Sequence, residues 1–161
     1  MPDTLIKAAI VTVSDTRKPE NDLSGKRLAE LLWAVGADIV ETLIVTDDLE
    51  RLRNTIYTLT ERQDINLIIT TGGTGFGPRD NTPEATRAVI EKEAQGIAEA
   101  MRRETMKKTP MAMLSRGICG IRGNTLIINL PGSPKGVAEC FEAIRPVVRH
   151  AVSLVCGNTK H

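Results

Sequence analysis

The chain has 161 residues, with 21 Lys+Arg, 20 Asp+Glu and a formal net charge of +1. That length suits one domain, able to bury roughly 70% of its unfolded surface without a disulfide or metal staple. Balanced charge argues against holding nucleic acid by bulk electrostatics, and no apolar run reaches the roughly 18 residues of a membrane span. The two histidines, His150 and His161, lie near or at the C-terminus, and the aromatics are only Trp33, Tyr57, Phe76 and Phe141. This disfavours a zinc site built on His pairs, a Ser-His-Asp triad and stacking platforms for single strands. Chemistry is expected on carboxylates, backbone amides and Lys/Arg. Cys119, Cys140 and Cys156 form no C-x-x-C pair. An odd number cannot pair fully within the chain, so they read as buried small hydrophobes in a reducing compartment. No leader is visible: Asp3 precedes the first basic residue, Lys7, and the apolar stretch 8–13 is short. A cytoplasmic protein of one domain, residues 1–161, is expected.

Strand-like and helix-like periodicities alternate along the chain. Residues 6–14 (IKAAIVTVS) read as a buried strand. Asp22 and Ser24 are possible caps for a helix with Leu28, Leu31, Leu32 and Val35 on one face, closed by Gly36. Residues 37–46 form a second strand. Asp47-Asp48-Leu49-Glu50 fits a capping box, ahead of a face of Leu49, Leu52, Ile56 and Leu59. Residues 65–71 (INLIITT) are apolar enough for a strand covered on both faces. After the loop from Thr71 to Asp80, Thr82-Pro83 reads as cap plus N1 proline, with helical pattern through Glu93 and again over 97–107. Residues 118–121 and 125–130 flank Arg122-Gly123-Asn124 as a hairpin. Ser133-Pro134 opens a long amphipathic segment that Pro146 should break or kink. The order predicts an α/β fold: a three-layer α/β/α domain with a mostly parallel sheet and one antiparallel strand.

In such a sheet, ligands bind beyond the carboxyl ends of the strands. The predicted strands run there into Ser14-Asp15, Thr46-Asp47, Thr71-Gly72-Gly73-Thr74-Gly75 and Pro131-Gly132-Ser133. Only a parallel arrangement gathers all of them at one edge. Successive glycines let backbone N–H groups approach an anion, and the following helix points its N-terminus the same way. Phosphate is the natural guest. The loop matches neither G-x-x-x-x-G-K-[ST] nor G-x-G-x-x-G, so neither a Walker ATPase nor a dinucleotide fold is supported. Asp80 either caps the next helix or holds Mg²⁺ bridging phosphates. Asp47 is locally explained by its capping box, and Asp15 by the strand end. Lys135, in a helical first turn, either faces an anion or is simply solvated. Arg102, Arg103, Lys107 and Lys108 read as a solvated basic face.

Thr70-Thr71-Gly72-Gly73-Thr74-Gly75, Arg79-Asp80 and Thr82-Pro83-Glu84-Ala85 resemble the molybdenum-cofactor biosynthesis family of MoaB, MogA and the gephyrin G domain. Val11-Thr12-Val13-Ser14-Asp15 and Leu130-Pro131-Gly132-Ser133-Pro134-Lys135 match its other motifs. Asn21-Asp22-Leu23-Ser24-Gly25 resembles the MoaB branch. The resemblance implies a single molybdopterin-binding domain that adenylylates molybdopterin. Its terminal phosphate would attack the α-phosphorus of Mg-ATP and release pyrophosphate, ready for a metal-insertion enzyme. It implies that Asp47 and Asp80 are catalytic and position Mg²⁺. Thr71, Gly72, Gly73, Thr74 and Gly75 would bind phosphates. Ser14, Asp15, Ser115, Pro131, Gly132, Ser133 and Lys135 would line the pterin–nucleotide cleft. Phe76 is the aromatic in a site loop, so the pterin is expected to be held by polar edges rather than by a stacking pair. The resemblance also implies homo-oligomers, a trimer or a hexamer made of two trimers. A non-catalytic molybdopterin carrier or scaffold is the alternative. Competence-associated pyrophosphatases share the fold but usually carry a further domain, for which 161 residues leave no room.

Overall fold

The computed structural model describes residues 4–159. Asp3 and His161 lie outside the described residues. β1 (Lys7–Val13) is buried at every position after Lys7, as a strand covered on both faces must be. It pairs in parallel with β2 (Asp38–Val45) and β3 (Leu67–Thr71), and β3 pairs in parallel with β6 (Thr125–Leu130). β5 (Cys119–Arg122) runs antiparallel to β6. The sheet order is β2-β1-β3-β6-β5-β4, with β4 at Lys92–Glu93. The expected mostly parallel sheet with one reversed strand is therefore present. The edge strand β4 (Lys92–Glu93) replaces the end of a predicted helix. There the chain is drawn onto β5: Ile90 fills the space a Cβ on Gly120 would need, and Glu91 N–H donates to Ile121 O. Pairing with the hairpin overrides helical periodicity, and α3 (Thr82–Arg87) is correspondingly short.

α1 (Leu23–Ala34), α4 (Gln95–Met106) and α5 (Pro134–Val155) cover one face of the sheet. α2 (Leu49–Thr60) and α3 cover the other. Successive strand residues alternate between the two cores: Ala8 and Ile10 in one, Ala9 and Val11 in the other. That makes the three layers. Asp22 caps α1, accepting from Gly25 N–H at 3.0 Å and from Thr12 Oγ1 at 2.6 Å. Ser133 caps α5 by accepting from Gly136 N–H. The helix of α5 continues through Pro146, so the chain does not break there. Beyond the proline, Val148 and Val152 are buried on the stripe of Val137, Phe141 and Ile144. Burying two valines is worth about 3–6 kcal/mol, against roughly 3 kcal/mol for an interior proline. Cys119 and Cys140 are free and buried, and burial pushes their thiols up to about 12 and about 11. Among the described residues, no helix is long and apolar enough to cross a membrane.

Candidate functional site

The parallel strands β2, β1, β3 and β6 deliver their C-terminal ends to one edge. Ser14 N–H donates to Val45 O, tying the exits of β1 and β2. Gly72 N–H donates to Leu130 O at 3.1 Å, and Thr71 Oγ1 to Pro131 O at 2.7 Å, tying those of β3 and β6. Gly72 has φ +102° and lies against Val13 O, where a Cβ would collide. The motifs expected at this edge are thus brought together. Two predicted phosphate contacts change role. The Gly72 amide and the buried Thr71 hydroxyl hold strand ends together rather than facing a ligand. The amides of Gly73, Thr74 and Gly75 have no hydrogen-bond partner among the described residues. They remain available to an anion.

The carboxylates converge beside these amides. The N-cap of α2 is Asp48, whose side chain accepts from Arg51 N–H at 2.8 Å. The expected capping box at Asp47 is therefore corrected, and the local explanation for Asp47 disappears. Its N–H donates to Asp15 Oδ1 at 3.0 Å, and its backbone O accepts from Asn81 Nδ2 at 2.9 Å. A Cβ on Gly73 would stand 3.2 Å from Asp47 Oδ1, so the carboxylate lies against the loop. Asp47 is only 9% exposed. Burial pushes its pKa up, the charges of Asp15 and Asp80 push it further, and Arg79 opposes them. Asp15 has a lowered pKa, because Arg79 forks onto both its oxygens at 2.9 and 3.0 Å and Asp47 N–H adds a further bond. Asp80 does not cap α3. Its Oδ2 accepts from Gly77 N–H at 2.8 Å, while Asp80 N–H donates to Gly77 O at 3.0 Å. A Cβ on Gly75 or Gly77 would come within 2.9 Å of that oxygen, so glycine is what lets the carboxylate fold over the loop. Thr82, the expected cap, is the first residue of α3, and its Oγ1 donates to Gly72 O.

A cavity of about 200 Å³ opens beside β6, lined by Ser115, Pro131 and Ser133 with Gly117, Asn129 and Arg102. Arg102 leaves the predicted solvated face, and its Nη1 donates to Gly117 O at 2.8 Å. On the other side of β1, Ser14 and Asp15 line a cleft of about 770 Å³ with Arg17, Lys18 and Lys26. Gly132 O joins the two regions, accepting from Arg17 Nη2 and Ser24 Oγ. Lys135 is exposed on the first turn of α5 and lines neither. Phe76 is 70% exposed and its ring packs into no core. A further groove, bordered by Glu41, Asp48 and Arg62, runs along β2 and α2, and Arg62 there is closed on Glu41 and Asp64. Sequence reasoning missed Arg17, Asn81 and Arg116, whose partners sit on distant segments.

No group of three or more His, Cys, Asp or Glu side chains among the described residues forms a metal cage. Asp47 and Asp80 are hard oxygen donors at the loop. They suit a magnesium ion that completes its shell with substrate phosphates and water, the usual pattern for that metal.

A family model described as "Probable molybdopterin binding domain" matches residues 9–150. The cinnamon molybdenum cofactor synthesis protein of Drosophila melanogaster is 45% identical over 153 residues, covering 93% of this chain. The chain spans only 26% of that protein. A molybdopterin adenylyltransferase of Helicobacter pylori is 39% identical over 157 residues, covering 95% of this chain and 89% of its own. The crystal structure of the molybdopterin biosynthesis enzyme MoaB from Thermus thermophilus superposes with a TM-score of 0.88 at 43% identity, covering 95% of this chain and 98% of that one. With the glycine loop, both motif aspartates and the strand-end edge in place, the chain belongs to the molybdopterin-binding family of molybdenum cofactor biosynthesis proteins.

Proposed function

We propose that this chain adenylylates molybdopterin. An oxygen of the terminal phosphate of molybdopterin bonds to the α-phosphorus of ATP. The bond from that phosphorus to the bridging oxygen breaks, and pyrophosphate leaves with the electron pair. The nucleophile is already ionised, so no histidine base is needed. Such transfer depends on positioning and charge neutralisation. Gly73, Thr74 and Gly75 would donate amides to phosphate oxygens. Asp47 and Asp80 would hold the Mg²⁺ that arrives with the nucleotide. When bound, that ion would neutralise charge building on the phosphate oxygens. Ser115 and Ser133 would border the pterin. The observation that carries the reading is Asp47: a buried carboxylate beside two others, with no ion-pair partner among the described residues, next to unpartnered amides. Relatives named molybdopterin adenylyltransferase support it.

The test combines the chain with molybdopterin, ATP and Mg²⁺. Pterin-dependent pyrophosphate and an adenylylated pterin are expected. Tight pterin binding without turnover would identify a carrier instead. Asp80→Asn is expected to stay folded and lose at least about tenfold in transfer, roughly 1.4 kcal/mol of barrier. Unaltered transfer by that variant would remove Asp80 from the mechanism. The same reading includes a cytoplasmic trimer or dimer of trimers that passes its product to a metal-insertion enzyme. Mass in solution decides the assembly.

A further inference from the structure

Arg116 makes a set of contacts that its neighbours in sequence do not explain. It lies between the short 3-10 helix Pro110–Leu114 and β5. Its Nε donates to Gly75 O at 2.8 Å and its Nη2 to Asp80 O at 2.8 Å. Its Nη1 pairs with Glu84 on α3. Its own N–H donates to Thr74 O at 2.8 Å. One planar group therefore ties both ends of the segment 74–80 to each other and to α3. Within that segment the regular backbone ladder is absent, and the internal bonds among the described residues are the reciprocal pair between Asp80 and Gly77. The side chain is half-buried, and its partners are mainly backbone oxygens, which fix position rather than balance charge.

We infer that Arg116 is the positioning residue that sets the Asp80 carboxylate and the Gly75 amide against the phosphates. It does so by clamping both loop ends with one guanidinium. This rests on the adenylyl-transfer reading for its consequence, though not for its geometry. A lysine in its place keeps the charge but presents a single nitrogen, which cannot span Gly75 O and Asp80 O in one plane. The loop then relaxes. A displacement near 1 Å at a reacting group lowers rates by about 100-fold.

Arg116→Lys and Arg116→Ala test it by two independent measurements. Hydrogen exchange at the Gly77 and Asp80 amides is expected to quicken in both variants, whether or not the wild type turns over. Unchanged exchange would overturn the inference. In the transfer assay, Arg116→Lys is expected to lose about 10- to 100-fold in kcat. Its half-saturating Mg²⁺ concentration should rise, and millimolar guanidinium should partly restore Arg116→Ala. Wild-type kcat and Mg²⁺ dependence would also overturn it. So would a loss that follows thermal stability, with neither a Mg²⁺ shift nor rescue. If the wild type transfers no AMP, the functional reading fails by itself, and the exchange measurement still decides the role of Arg116.

Discussion

Asp47→Asn is expected to lower AMP transfer by about 100-fold, roughly 2.7 kcal/mol of barrier, while raising the melting temperature at pH 7. Both effects have one cause. Asp47 is buried, and Asp15 and Asp80 push its pKa above the ordinary 3.8. A carboxyl whose pKa is raised by folding binds protons more tightly in the folded chain. Its contribution to stability is full below the ordinary value and is lost as pH rises through the raised one. At pH 7 the ionised group therefore burdens the fold. Asparagine keeps an acceptor oxygen and the backbone N–H that Asp15 receives, and it removes the charge. Each kcal/mol recovered should raise Tm by about 2–4 °C. The advantage should shrink as pH falls through the raised pKa and vanish below the ordinary carboxylate range. Melting curves across pH, beside the transfer assay, check both halves. A lower Tm for the variant at pH 7 would show that Asp47 is not short of a cation.

Gly72→Ala is expected to destabilise the fold by about 3 kcal/mol, through left-handed backbone strain plus a collision. Gly72 has φ +102°, and its added Cβ would meet Val13 O. That oxygen belongs to the backbone of β1 and has no rotamer by which to withdraw. Moving Gly72 instead would break its bond to Leu130 O. At about 2–4 °C per kcal/mol, Tm should fall by about 6–12 °C. Gly96→Ala is the matched control. Gly96 sits in α4 with nothing within 4 Å of a built Cβ. There alanine should stabilise by about 0.5–1 kcal/mol. Equal melting temperatures for the two variants would refute the argument from close approach.

The site was legible in the sequence to the extent that its parts are local. Gly72, Gly73 and Gly75 follow a run of apolar residues, and the strand order places such a loop at the ligand edge. Family motifs singled out Asp47 and Asp80, where spacing alone offered each a helix cap. The structure assigns neither as a cap. Asp48 takes the α2 position, a shift of one residue that sends the Asp47 carboxylate into the site. Two adjacent aspartates look alike to any pattern of caps. The choice depends on β2 ending at Val45 and on Asp15 receiving the Asp47 amide.

Arg116 was not legible because the partners of its side chain lie 32 to 41 residues upstream. The absent break at Pro146 and the strand at Lys92-Glu93 share that reason: contacts with the sheet outweighed a local rule. The sequence by itself determined the alternation of strands and helices, the cap at Ser133, and the glycine content of the loop. These follow from side-chain period, capping groups and glycine, which act within a few residues. Tertiary structure alone decided which amides stay free, which aspartate is buried without a cation, and which arginine holds the loop. Those outcomes depend on close approach between segments far apart in the chain, where burial and hydrogen-bond geometry override local preference.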